Sequence, residues 1–285
     1  MLKLVLNLFK LRIGLVISFT ALAGVTSARG AGPMPGAWNI AVLALCVLVS
    51  SAAAGAFNQY VERDLDQKMK RTRGRPFVTG ALKHGPFWLW LIGGLVAGST
   101  AIAWFAINPI SALYVFLGAF FYAIVYTVWL KRRTWLNIVV GGLAGSFAVL
   151  AGATAVSPDV GTVPLLLALV LFLWTPPHFW SLAIACREDY AAANIPMLPI
   201  VIGDKRTSKV ILAHTVLLVA ISLAPAWLGM GPVYLACAGI GGALFIWKNL
   251  ALVIAPGRNT ALACFFASLA QLTLVLCGVL LDAWL

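Results

Sequence analysis

Asn58-Gln-Tyr-Val-Glu62-Arg-Asp64-Leu-Asp66-Gln-Lys-Met-Lys-Arg71-Thr-Arg73-Gly-Arg75-Pro76 follows directly on an apolar run, residues 38–58, long enough to cross a bilayer. The join decides the reading of the chain. Asn58, Glu62 and Asp66 recur at four-residue intervals. On a helix each such step turns about 40° past a full turn and rises roughly 6 Å, so the three oxygen-bearing side chains share a face. Hard oxygen donors so placed suit Mg²⁺, and Lys68, Arg71, Arg73 and Arg75 behind them suit the oxygens of a diphosphate. Asp64 points off that face by about 160° and is expected to serve a basic partner.

Composition agrees with a membrane setting. The chain has 285 residues, 62% hydrophobic and only 10% charged, with mean hydropathy +0.99, which leaves too little polar surface for a soluble domain. Apolar runs of about 20 residues fall at roughly 13–31, 38–58, 86–106, 110–130, 138–156, 163–183, 209–229, 232–254 and 261–281. The fold predicted is all-α, a polytopic bundle of nine transmembrane helices forming one domain over 1–285. The first span lacks a small-residue cleavage site and is expected to be retained. The five cysteines lack close ligand spacing, so neither a zinc site nor a disulfide framework is indicated.

The formal charge of +12 points to topology rather than to nucleic acid. Lys10 and Arg12 precede the first span, a basic run from Arg63 to Lys83 follows the second, and Lys131, Arg132 and Arg133 follow the fourth. Arg187, Lys205, Arg206 and Lys209 surround the connection after the sixth. Arg29 alone falls on the other side. With nine spans, this bias places the N-terminus in the cytoplasm and the C-terminus outside.

Only two connections, 59–85 and 184–208, are long and polar, and each opens with acidic residues at the end of a span. Their similarity suggests a weak duplication, with the two acidic helix ends facing each other across a cavity open to the cytoplasmic side. In the second, Cys186-Arg187-Glu188-Asp189-Tyr190 supplies an acidic pair able to hold a second Mg²⁺, with Arg187 at the anion. A plain charge pair with Arg187 is the competing reading. Lys10, Lys131 and Asn137 are placed to reach the same cavity. His178 lies inside a span after Thr175-Pro176-Pro177, where the prolines are expected to break the helix. An imidazole at that depth needs a partner and is a candidate haem contact. His214 is a second candidate.

These residues resemble the UbiA-type intramembrane prenyltransferases and, among them, the haem-farnesylating branch. The likeness rests on Asn58 to Asp66 followed by Met69 to Pro76, on Asn137-Ile-Val-Val-Gly141-Gly142, on Phe172-Leu-Trp-Thr-Pro-Pro-His-Phe-Trp180, and on Glu188-Asp189-Tyr190 leading to Asn194-Ile-Pro196-Met197-Leu198-Pro199. The resemblance implies transfer of a farnesyl group from farnesyl diphosphate to the 2-vinyl group of haem b, with water addition, giving haem O. It implies Mg²⁺ as cofactor, the lipid bilayer of a bacterial plasma membrane as setting, and association with a downstream haem-modifying membrane enzyme. Under it, Asn58, Glu62, Asp66 and Asp189 are catalytic, with Glu188 joining them at metal. Lys68, Arg71, Arg73, Arg75, Lys131 and Arg187 bind diphosphate, and His178 and His214 bind haem. The chain departs from the pattern at Trp135-Leu136, at Ser146 to Gly152 and at Ala193. Two alternatives stay open: a prenyltransferase using another aromatic or tetrapyrrole acceptor, and a transporter.

Overall fold

In hydrocarbon every backbone N–H and C=O needs a partner within the protein, and an unpaired group costs several kcal/mol, so an apolar run long enough to cross becomes a helix. The computed structural model describes residues 2–283, and every regular element among them is helical. Apart from the short helical segments Leu2–Leu8, Pro76–Thr79, Leu198–Ile202 and Ala224–Leu228, in chain order these are α1 (Leu11–Ser27), α2 (Ala37–Val61), the short α3 (Arg63–Lys68), α4 (Phe87–Ala106) and α5 (Pro109–Phe120) with a π-helical continuation, Phe121–Leu130. There follow α6 (Asn137–Gly141), α7 (Leu143–Ala153), α8 (Thr162–Ala185), the short α9 (Arg187–Ala192), α10 (Asp204–Leu223), α11 (Pro232–Ile254) and α12 (Arg258–Asp282).

Among the described residues, seven helical segments are long and apolar enough to cross a membrane: α2, α4, Pro109–Leu130, α8, Asp204–Leu228, α11 and α12. The first and fifth of the nine spans drawn from sequence are shorter helices, Leu11–Ser27 and Asn137–Ala153. At 17 residues, α1 rises only about 25 Å. It stops at Ser27, capped by Ala28, and the chain turns away at Gly30, whose φ of +90° is cheap only for glycine.

The helices pack as a ring. α1 lies against α2 and α7, α2 against α4, α4 against α5, and α5 against α7; α8 joins α7 to α10 and α12, α11 packs against α10 and α12, and α12 returns directly to α1. Without a hydrophobic drive between helices in lipid, close approach depends on small residues. Gly24 on α1 and Gly152 on α7 provide it: a Cβ at either position would collide with a carbonyl oxygen of the facing helix, that of Val149 or of Ala21.

The structure corrects one expectation about α8. Pro176 and Pro177 lie inside a continuous helix rather than at a break. Proline's φ is compatible with a helix, so the two residues remove backbone donors without ending it. The hydroxyls nearby return to the backbone, Thr175 Oγ1 donating to Leu171 O at 2.9 Å and Ser181 Oγ to Pro177 O at 2.6 Å.

Candidate functional site

Asn58 occupies the last turn of α2, Glu62 the junction between α2 and α3, and Asp66 the body of α3. The helix bends at Glu62, yet the ladder continues across it, with Glu62 N–H donating to Asn58 O at 3.0 Å and Asp66 N–H to Glu62 O at 2.8 Å. The four-residue spacing therefore keeps its geometry, and the three side chains are 3%, 1% and 2% exposed. Burying two carboxylates demands charge partners. Each oxygen donor meets its own cation, delivered by a different part of the chain.

Glu62 accepts from Lys131 Nζ, 2.6 Å from both carboxylate oxygens. Asp66 accepts from Arg75 Nη1 at 2.7 Å to both oxygens. Burial pushes the Asp66 carboxyl above the usual carboxylate range, the guanidinium of Arg75 opposing that shift only in part. Asn58 Oδ1 accepts from Lys10 Nζ at 2.8 Å, and its Nδ2 donates to Thr127 Oγ1 at 3.1 Å. Lys10 reaches this depth because its backbone turns left-handed, φ 46°, and its stem lies across Gly55, which has no side chain to block it. Burial, and then Arg75, bring its ammonium down to about 7.

The π-helical segment forms the facing wall. The wider turn shows in Lys131 N–H donating to Tyr126 O at 2.9 Å and Thr127 Oγ1 donating to Tyr122 O at 2.8 Å, and such turns are frequent at functional sites. It directs Tyr122 to Lys10, with the phenol oxygen 3.3 Å from Nζ, and Tyr126 beneath Lys131, whose ammonium stands 5.7 Å from the ring centre. Asn137 Nδ2 donates to Thr134 O at 2.7 Å and bonds Lys131 O at 3.4 Å, fixing the turn that carries Lys131.

Other residues singled out from sequence are spread around this centre. Asp64 is exposed and paired with Arg132 at 2.8 Å through both oxygens; the hydrogen bond from Arg132 holds its carboxyl below the ordinary range. Lys68, at the end of α3, and Arg71 and Arg73, on the loop after it, are exposed. Asp189 accepts from the backbone N–H groups of Lys70 and Arg71 at 3.0 and 3.3 Å. Glu188 turns outward, 3.2 Å from Lys70 Nζ, and Arg187 pairs with Asp204 at 3.1 Å. Neither Glu188 nor Arg187 is brought to the Asn58 face. His178 is buried, with Nδ1 2.7 Å from Ser268 Oγ and its ring between those of Trp174 and Phe265 at 4.2 and 4.4 Å. His214 lies elsewhere, edge-on to Trp180 at 5.7 Å.

Among the described residues, no three of His, Cys, Asp and Glu gather into a metal cluster. The donor types are those a hard divalent ion takes, two carboxylates and an amide oxygen, all buried, and such an ion would take the place that Lys131, Arg75 and Lys10 hold at them. Tyr122, Tyr126 and Thr127 escaped the sequence reading because they lie in an apolar span where tyrosine and threonine pass as filler. A hydroxyl at Thr127 four residues before Lys131 was the available signal.

The UbiA prenyltransferase family matches residues 17–274. Protoheme IX farnesyltransferase 2 of Paramagnetospirillum magneticum is 55% identical over 281 residues, covering 99% of this chain and 97% of that protein. Protoheme IX farnesyltransferase 1 of Cenarchaeum symbiosum is 41% identical over 98% of this chain and 95% of its own length. Among solved structures, a digeranylgeranylglyceryl phosphate synthase superposes with TM-score 0.79 at 20% identity, covering 99% of this chain and 98% of that one. A UbiA homolog from Archaeoglobus fulgidus bound to DMAPP and Mg²⁺ superposes with TM-score 0.68 at 17% identity, covering 95% and 98%. At these identities the structural likeness speaks for the fold.

Proposed function

Since this chain belongs to the UbiA prenyltransferase family, a family of membrane-embedded prenyltransferases, we propose that it moves the farnesyl group of farnesyl diphosphate to the 2-vinyl group of haem b. Water adds in the same reaction, and the products are haem O and diphosphate. The observation that carries the site assignment is the buried row Asn58, Glu62 and Asp66, each donor facing its own cation. The relatives named for the same acceptor, matched over nearly the whole chain, support the choice of haem.

The chemistry asks little of a protein nucleophile. The allylic C–O bond breaks, its electron pair leaves with the diphosphate, and the vinyl carbon attacks the farnesyl cation. Water captures the new cation beside the macrocycle and gives up a proton. Asn58, Glu62 and Asp66 would hold one Mg²⁺ and Asp189, from the second connection, a second; a bound divalent ion would draw off the negative charge of the leaving diphosphate. Lys10, Lys131 and Arg75 take the remaining phosphate charge, with Arg71, Arg73 and Lys68 at the rim. Low exposure at the acids keeps bulk water from the allylic cation before the vinyl group reaches it. The rings of Tyr122 and Tyr126 present π faces beside this charge. His178 and its aromatic neighbours form the acceptor side. The bias of basic residues toward these connections supports a site on the cytoplasmic side, and the setting we propose is a bacterial plasma membrane.

The test is to incubate membranes containing the protein with haem b, farnesyl diphosphate and Mg²⁺ and to look for haem O by mass-resolved chromatography. Product that requires Mg²⁺ is expected and disappears with a chelator. No product from haem, with prenylation of an aromatic acid instead, overturns the choice of acceptor.

A further inference from the structure

The two long polar connections meet at one carboxylate. Asp189, on α9, receives the backbone N–H groups of Lys70 and Arg71, residues 119 and 118 positions away. Those two amides open a turn closed by Thr72 N–H and Arg73 N–H, which donate to Met69 O at 3.1 and 3.0 Å. Amides at the start of such a turn have no acceptor within it, so the partner must come from elsewhere. Asp189 supplies both bonds and is itself 9% exposed. Glu188 adds only the Lys70 pair, whose side chains are 76% and 88% exposed, a setting in which ion pairs contribute little. Among the described residues, every hydrogen bond between 59–85 and 184–208 ends on one of these two acids.

The turn leads straight to the candidate site. Thr72 Oγ1 donates to Asp66 O at 3.2 Å, Arg75 N–H donates to Thr72 O at 2.9 Å, and the Arg75 guanidinium holds both oxygens of Asp66. A continuous chain of bonds therefore runs from Asp189 through the turn to Asp66. Resting on the proposed reading of the site, we propose that Asp189 is a positioning residue for the donor: it clasps the turn 69–73 and thereby sets where Arg75 and Asp66 stand, whatever ion it also contacts.

The experiment combines amide hydrogen exchange with kinetics on the full chain in lipid nanodiscs, at saturating Mg²⁺ so that a weakened metal contact is compensated. For Asp189→Ala, exchange across residues 69–75 is expected to accelerate about tenfold or more, the scale of losing bonds to a charged acceptor. The KM for farnesyl diphosphate rises by a similar factor while kcat changes less. Asp189→Asn, which keeps one side-chain acceptor, recovers part of both losses, and Glu188→Ala leaves exchange at 69–75 as in the wild type. In an Arg75→Ala background, removing Asp189 adds under about twofold, because the two act along one path. Wild-type exchange at 69–75 in both Asp189 variants, with kinetics that depart from wild type only when Mg²⁺ is lowered below saturation, would overturn the clasp and leave a metal ligand alone. Additive losses with Arg75→Ala would overturn it too. Exchange is read without turnover, so absence of haem O from the wild type defeats the proposed reaction and not this result.

Discussion

Lys131 Nζ lies 2.6 Å from each carboxylate oxygen of Glu62, across 69 residues of chain. The pair joins the end of the π-helical segment to the junction of α2 and α3, and both partners are largely withdrawn from solvent. Breaking a buried pair by removing one member leaves the other charge unpaired, at a cost of about 3–5 kcal/mol. Glu62→Ala is therefore expected to lower the unfolding temperature in detergent well below wild type, and Glu62→Gln combined with Lys131→Met to recover stability without recovering turnover. An active double variant would remove Glu62 from the site.

Asp66→Ala should abolish turnover while the protein still inserts. The loss expected is at least about 100-fold, the scale of removing one group that stabilises transition-state charge. Measurement of haem O formation beside the amount of membrane-extracted protein separates the two effects. Wild-type activity in this variant would defeat the metal assignment.

Thr127 links the π-helical wall to Asn58 through a buried hydrogen bond of 3.1 Å. Thr127→Val keeps the shape and removes the hydroxyl, leaving an amide donor short of its partner at about 1–3 kcal/mol. Thermal unfolding is expected at lower temperature, and the KM for farnesyl diphosphate to rise roughly tenfold on the same scale. Unchanged values in both assays would mean that Asn58 is held by Lys10 alone.

His178 shares a hydrogen bond of 2.7 Å with Ser268 and stacks between two aromatic rings. His178→Ala is expected to raise the KM for haem b while leaving binding of farnesyl diphosphate intact, and Ser268→Ala to do the same more weakly. Titration of each substrate against the purified variants checks this. Equal loss of both would assign His178 to packing.

Much of this protein was legible one residue at a time. Apolar runs of bilayer length specify helices because hydrocarbon permits little else, and the spacing Asn58, Glu62, Asp66 specifies a shared face because the helical repeat is short-range. The strings Phe172 to Trp180 and Asn194 to Pro199 carry the resemblance to the haem-farnesylating branch in the same way, as local motifs. What the tertiary structure decided are the pairings: Lys10 with Asn58, Lys131 with Glu62, Arg75 with Asp66, Asp189 with the amides of Lys70 and Arg71. Sequence spacing does not say which basic residue, among many placed for topology, will be drawn into a low-dielectric site. That choice depends on helix packing, on the left-handed turn at Lys10 and on the wider winding of Phe121–Leu130. Likewise only the folded chain shows α8 running unbroken through two prolines, because neighbouring contacts rather than local propensity determine whether lost backbone bonds end a helix.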